Sequence, residues 1–211
     1  MPKQDKADTN LKQIQGIMSK TAYPILTLLF TVFIMAVTYL MLGIVPMIVF
    51  SIFLIGGFIA WIKTTYHIPV NPNKIIIPYL LSVIFFIIHV CEEYLSDFSG
   101  SMSELSGFHI PEKNFLLIAA FAAPVFWLSG AVLLLKRNPF GYYLTWGFFI
   151  AMVYSELAHF VFPFIKDGKF GYFPGMYTAL LPLIPAVYGM KVILKEYQQL
   201  KNNSNDKALA N

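Results

Sequence analysis

Cysteine is almost missing from this sequence. Cys91 is the only one in 211 residues, so no disulfide can form within the chain and its redox compartment is not readable. Inside an apolar run, Cys91 reads as a small packing residue. Charge is scarce as well. Asp, Glu, Lys and Arg make up 12% of the chain, against roughly 25% in soluble domains, and no polar stretch is long enough for a soluble domain. The formal charge of +4 comes from residues at the ends and turns, which excludes a nucleic-acid footprint. No small-residue cleavage pattern follows the first apolar stretch, Ala22 to Leu42. That stretch is also too long for the core of a signal peptide and reads as a permanent span. The sequence has no His-Glu-x-x-His, which sets aside the usual zinc-protease helix.

What fills the chain is hydrocarbon, with 57% apolar residues. A helix crossing a bilayer needs about 20 of them in a row. Six stretches qualify: 22–42, 44–62, 75–95, 114–135, 140–162 and 176–194. The expected fold is all-α, a polytopic six-transmembrane-helix bundle (22–194) between polar, mobile tails at 1–21 and 195–211. Gly43 and Pro46 part the first two stretches, and Asn138-Pro139 the fourth from the fifth. The proline- and glycine-rich run from Pro163 to Gly175 parts the fifth from the sixth.

Basic residues give the orientation. Twelve of the fifteen Lys and Arg fall on one side of a six-span chain, which predicts both termini in the cytoplasm of an integral cell-membrane protein. Only Lys113, Lys166 and Lys169 fall on the other side.

Ionisable residues inside the spans stand out against this background. His89, Glu92 and Glu93 end the third run, and Glu156 and His159 lie near the end of the fifth. Residues three and four apart share a helix face, so each set forms one polar patch. Both runs point the same way, which puts the patches at one depth near the extracytoplasmic side. His89 lies on the order of 12 Å below Asp97. Charge at that depth is costly against lipid, so the faces should turn into the bundle.

Two imidazoles and three carboxylates suit a divalent metal, with zinc the first choice and an open position for water. In this reading His89, Glu92 and His159 hold the metal. Glu93 and Glu156 act as general base or further ligand. Ser155, Tyr177 and Asp97 contact substrate or support the site. Glu156-Leu-Ala-His159 has the Glu-x-x-His spacing of bundle metal sites, while His89-x-x-Glu92 reverses it. The activity would be hydrolysis of a lipid-like or membrane-bound substrate at the outer leaflet.

A metal-free His/Glu pair offers a second chemistry, proton transfer in a lipid isomerase or a small-molecule-binding protein. Proton-coupled transport is a third, opposed by the near absence of ionisable residues in the inner halves of the spans. The duller alternative is a set of satisfied structural hydrogen bonds. The loop 96–113 reads as a solvated connector, with a lid as its alternative. Neither a substrate nor an oligomeric state is encoded in the pattern.

His89-Val-Cys-Glu92-Glu93 resembles the His-x-x-Glu-Glu motif of the HXXEE family of small integral membrane proteins. Ser155-Glu-Leu-Ala-His159 and Tyr172-Phe-Pro-Gly175-Met-Tyr-Thr-Ala179 are similar to that family's later segments. The likeness spans roughly Pro78 to Gly189. In the second motif Ser155 stands where the family has Asn, and His159 matches. The resemblance implies an enzymatic role for the motif residues and supplies no substrate. Gly175 would let the last helix start close to the site.

Overall fold

The computed structural model describes the backbone of residues 2–209 and the side chains of residues 22–207. All regular structure among the described residues is helical. Helix α1 (Pro2–Leu42) turns through Gly43 into α2 (Ile44–Lys63), which packs back against it. Gly43 sits at φ +87, and a Cβ there would lie 2.7 Å from the Phe108 ring, so glycine alone fits this turn. A 3-10 turn (Pro72–Lys74) leads into α3 (Ile76–Leu95).

A short α4 (Phe98–Ser106) follows, begun by Asp97, whose side chain accepts the Gly100 N–H at 3.0 Å. Next comes a rod made of α5 (Glu112–Phe115), a π-helical segment (Leu116–Ala122) and α6 (Ala123–Leu135). Asn138 caps α7 (Pro139–Asp167) by accepting the Phe140 N–H at 2.9 Å, with Pro139 at the first helical position, where its missing N–H costs nothing. The chain ends with α8 (Leu180–Leu209).

Five of these helical rods are long and apolar enough to cross a membrane: Ala22–Leu42, Ile44–Lys63, Ile76–Leu95, Glu112–Leu135 and Pro139–Asp167. The expected sixth does not meet the same measure. Helix α8 starts at Leu180 rather than 176, and within its first eighteen residues takes in Lys191, Lys195 and Glu196. Two further expectations change. Helix α7 runs through Pro163 to Asp167 instead of stopping at 162, because the lost backbone bond falls in the last turns. The segments read as tails are helical, 2–21 continuing into α1 and 195–209 extending α8. The side chains of 1–21 and 208–211 lie outside the described residues.

Helix α7 is the spine. It packs most extensively against α2, and also against α6 and α8, while α8 lies along α3. Glycines permit the closest crossings. A Cβ on Gly57 of α2 would come within 2.6 Å of the Gly147 backbone, and one on Gly141 within 2.4 Å of Leu134. Small residues let membrane helices approach in this way. The main core is aromatic, with Trp61, Tyr79, Tyr143, Phe148 and Phe149 all buried. Its hydroxyls are satisfied: Tyr79 donates to the Trp127 carbonyl at 2.9 Å and Tyr142 to the Val70 carbonyl at 2.6 Å. A smaller cluster of Leu42, Met102, Ile110, Phe162 and Phe173 occupies the other end, beside the polar residues of α3 and α7.

Candidate metal centre

Helices α3 and α7 deliver their polar patches to one point. The imidazoles of His89 and His159 face each other, Nε2 to Nε2, at 3.2 Å. Glu93 Oε1 lies 3.5 Å from His89 Nε2 and 3.4 Å from His159 Nε2. Glu156 Oε2 lies 3.1 Å from His89 Nε2. His89 and His159 are 2% exposed, Glu156 1% and Glu93 7%.

The outer ring nitrogens decide which way these imidazoles present their lone pairs. His159 Nδ1 is 2.6 Å from the Pro174 carbonyl, and a carbonyl only accepts. His159 therefore carries its hydrogen on Nδ1. His89 Nδ1 is 3.0 Å from Thr178 Oγ1, whose own hydrogen is given to Glu92 Oε2 at 2.6 Å. That hydroxyl thus accepts from His89, which also carries its hydrogen on Nδ1. With both rings neutral, each turns a bare Nε2 toward the other; Glu93 Oε1 lies beside both, and Glu156 Oε2 beside that of His89. Glu156 Oε2 has no hydrogen-bond donor among the described groups.

Acceptor atoms gathered in a buried site need a positive partner, a proton or a metal ion. The geometry suits a metal. Ligand bonds of 2.0–2.2 Å in a tetrahedral site place ligand atoms about 3.3–3.6 Å apart. The three separations among His89 Nε2, His159 Nε2 and Glu93 Oε1 run from 3.2 to 3.5 Å. His89, Glu93 and His159 form a buried group able to hold a metal ion, and Glu156 adjoins it. The outer-nitrogen hydrogen bonds are the kind that orient metal-binding histidines.

Glu92 does not join this nest. Its Oε1 accepts the Tyr172 hydroxyl at 2.9 Å and the Tyr177 N–H at 3.1 Å. Its Oε2 accepts the Thr178 N–H at 2.7 Å together with the Thr178 hydroxyl. Four donors occupy the carboxylate, so it straps α3 to the turn that begins α8. Asp97 is likewise elsewhere, capping α4. Tyr177 contributes its backbone N–H, while its ring is exposed and stacks on Tyr172 with centroids 4.7 Å apart. Ser155 supports Glu156, donating to its Oε1 at 3.2 Å and to the Ala151 carbonyl at 2.6 Å.

Sequence reasoning missed Thr178, Tyr172 and the Pro174 carbonyl, although the segment holding them was singled out. Gly175 behaves as expected of a close approach. At φ +95, a Cβ on it would fall 2.5 Å from His159 Cε1 and 2.8 Å from His89 Cε1.

Beside the nest lies an apolar cavity of about 160 Å³. It is walled by Phe50 and Phe53 of α2, Phe86 of α3, Trp127 of α6 and Met152 of α7, with His89, Glu93, Glu156 and His159 on one side. Helix α4, expected as a solvated connector, covers part of it with Ser99 and Met102. Those two residues are buried.

Compared with known proteins, the chain matches no family model, no curated protein and no solved structure.

Proposed function

We propose that this chain is a membrane-embedded, divalent-metal-dependent hydrolase acting on a lipid-like substrate. The observation that carries the reading is the buried meeting of the two imidazole Nε2 atoms with Glu93 Oε1, Glu156 lying beside His89. His89, Glu93 and His159 hold the metal, Glu93 taking the ligand role expected of Glu92. Two neutral imidazoles and two carboxylates carry a charge that a dication cancels. Zinc is the first choice for such a nitrogen and oxygen set. When bound, such an ion supplies Lewis acidity and eases the deprotonation of water.

Glu156 is the general base. Its Oε2 is unengaged, and Ser155 holds its other oxygen. Glu156 takes a proton from water, and the hydroxide oxygen bonds to the carbonyl carbon or phosphorus of an ester linkage. As the bond to the leaving alcohol breaks, Glu156 returns the proton to the alcohol oxygen. The aromatic cavity holds the apolar part of the substrate and keeps bulk water away. The resemblance to the HXXEE pattern takes in His89, Glu93 and His159 of this set.

With α8 as a sixth span, the basic residues give both termini to the cytoplasm and the nest to the outer leaflet. Transport fits less well. Another buried carboxylate, Glu196 on α8, accepts the Asn71 N–H at 3.0 Å and lies 3.5 Å from Lys74 Nζ. It is on the order of 25 Å along the helix from Thr178. The aromatic core lies along that length.

The test is hydrolysis. The purified protein in lipid vesicles is given a panel of labelled glycerolipids, and release of fatty acid or headgroup is followed. Release that stops with a chelator and with Glu156→Gln is expected; release indifferent to both overturns the reading. A metal-free proton-transfer enzyme is the second reading, favoured by one distance. The 3.2 Å between the Nε2 atoms also suits a single shared proton, and such a protein would purify without metal.

A further inference from the structure

A second hollow lies on the outside of the bundle, between α3 and the π-helical segment. Its walls are Cys91 and Leu95 on α3, and Leu116, Ala119, Ala120 and Pro124 on the opposing rod. Cys91, expected to be packed away, is exposed here, and Leu95 is 82% exposed. Ala119 lines this groove and also the interior cavity. Ala119 is thus the lining residue common to the outer apolar surface and the space beside the two histidines.

The local backbone explains a weak wall. Pro124 has no N–H, so the Ala120 carbonyl loses its helical donor, and the proline ring crowds that carbonyl. The helix widens ahead of it, and the Ala123 N–H reaches the Ile118 carbonyl, five residues back. Such π turns cluster at functional sites. Large side chains, Phe98, Phe115, Phe162 and Trp127 among them, make up much of the remaining lining.

We propose that the seam between α3 and residues 116–122 is a lateral portal, through which an acyl chain of a bilayer lipid passes over Ala119 into the cavity. The substrate class rests on the hydrolase reading; the portal rests on Ala119 and the two hollows. The occupant is hydrocarbon because the outer groove and the inner walls are mainly apolar and the ionisable groups of the cavity stand at the nest. A cavity of about 160 Å³ admits a body of benzene's bulk, which fits a cavity of about 150 Å³, so it takes a segment of chain rather than a whole lipid.

The full-length protein is placed in phosphatidylcholine vesicles containing a phosphatidylcholine with a diazirine at mid-chain. After irradiation, labelled residues are mapped by mass spectrometry. Label on the buried residues Phe53 and Trp127 is expected in the wild type and in His89→Ala, whose loss of metal or turnover leaves this result untouched. Ala119→Trp, which sets a bulky ring in the seam, should lower that label about tenfold, while label at Leu95 persists. Where Ala119→Trp does not fold, Ala119→Leu serves. No label on Phe53 and Trp127, or label unchanged in the Ala119 variant, overturns the portal. Absence of hydrolysis with the label pattern intact overturns only the hydrolase reading.

Discussion

Thr178 does two jobs with one hydroxyl: it donates to Glu92 and accepts from His89. Thr178→Val keeps the shape and removes both. His89 would then be free to carry its hydrogen on Nε2, where it blocks a ligand position. Affinity for zinc, followed by competition with a coloured chelator, should fall about 10–100-fold, the usual cost of losing such a support. Unchanged affinity would mean that this hydroxyl does not set the ring. Gly175 gives a sharper residue-scale expectation. In Gly175→Ala the added methyl meets both imidazoles and a backbone at φ +95, so zinc stoichiometry should drop well below one even where the protein still runs as a single species on size exclusion. Of these two positions, the sequence pointed to Gly175 but not to Thr178. Nothing in a Met-Tyr-Thr stretch announces a hydrogen bond to a residue 89 positions away.

At the scale of elements, Glu92 and Glu93 divide the labour that the sequence could not divide. Adjacent residues on a helix point about 100° apart, so both satisfy the spacing to His89, and only the position of α8 separates them. Once the turn before α8 packs on α3, its donors claim Glu92, and Glu93 faces α7. Glu92→Gln should therefore behave as a stability variant. Losing a carboxylate held by four donors should cost about 1–3 kcal/mol in a thermal or denaturant melt, with metal content retained. The opposite pattern, lost metal with an unchanged melt, would return Glu92 to the ligand set. The same reasoning explains α4 and Pro163. Glycine and serine in 96–113 suggested a connector, yet Asp97 supplies a cap and Met102 a buried contact. Pro163 suggested a break, but a proline that near the end of a helix removes one bond and leaves the rest.

Across the whole molecule, composition made the helical, membrane-compatible class plain, and the shared depth of two His/Glu patches anticipated their meeting. The ends of α8 were less legible, because its apolar stretch merges into Lys191, Lys195 and Glu196 without a stop signal. Orientation is checked by thiol labelling. With Cys91→Ser as background, a cysteine at Ser103 should react with an impermeant maleimide from outside intact cells, and one at Asn203 only after lysis. The reverse pattern would invert the chain.

Elemental analysis tests most directly whether His89, Glu93 and His159 hold a metal ion. The protein, purified without chelator at neutral pH, should carry about one divalent ion per chain. His89→Ala and Glu93→Gln should carry little, and acidification should release the ion, since protonated imidazole and carboxylate do not ligate. Equal and negligible metal in the wild type and both variants, after incubation with zinc, manganese and iron(II), would contradict the account.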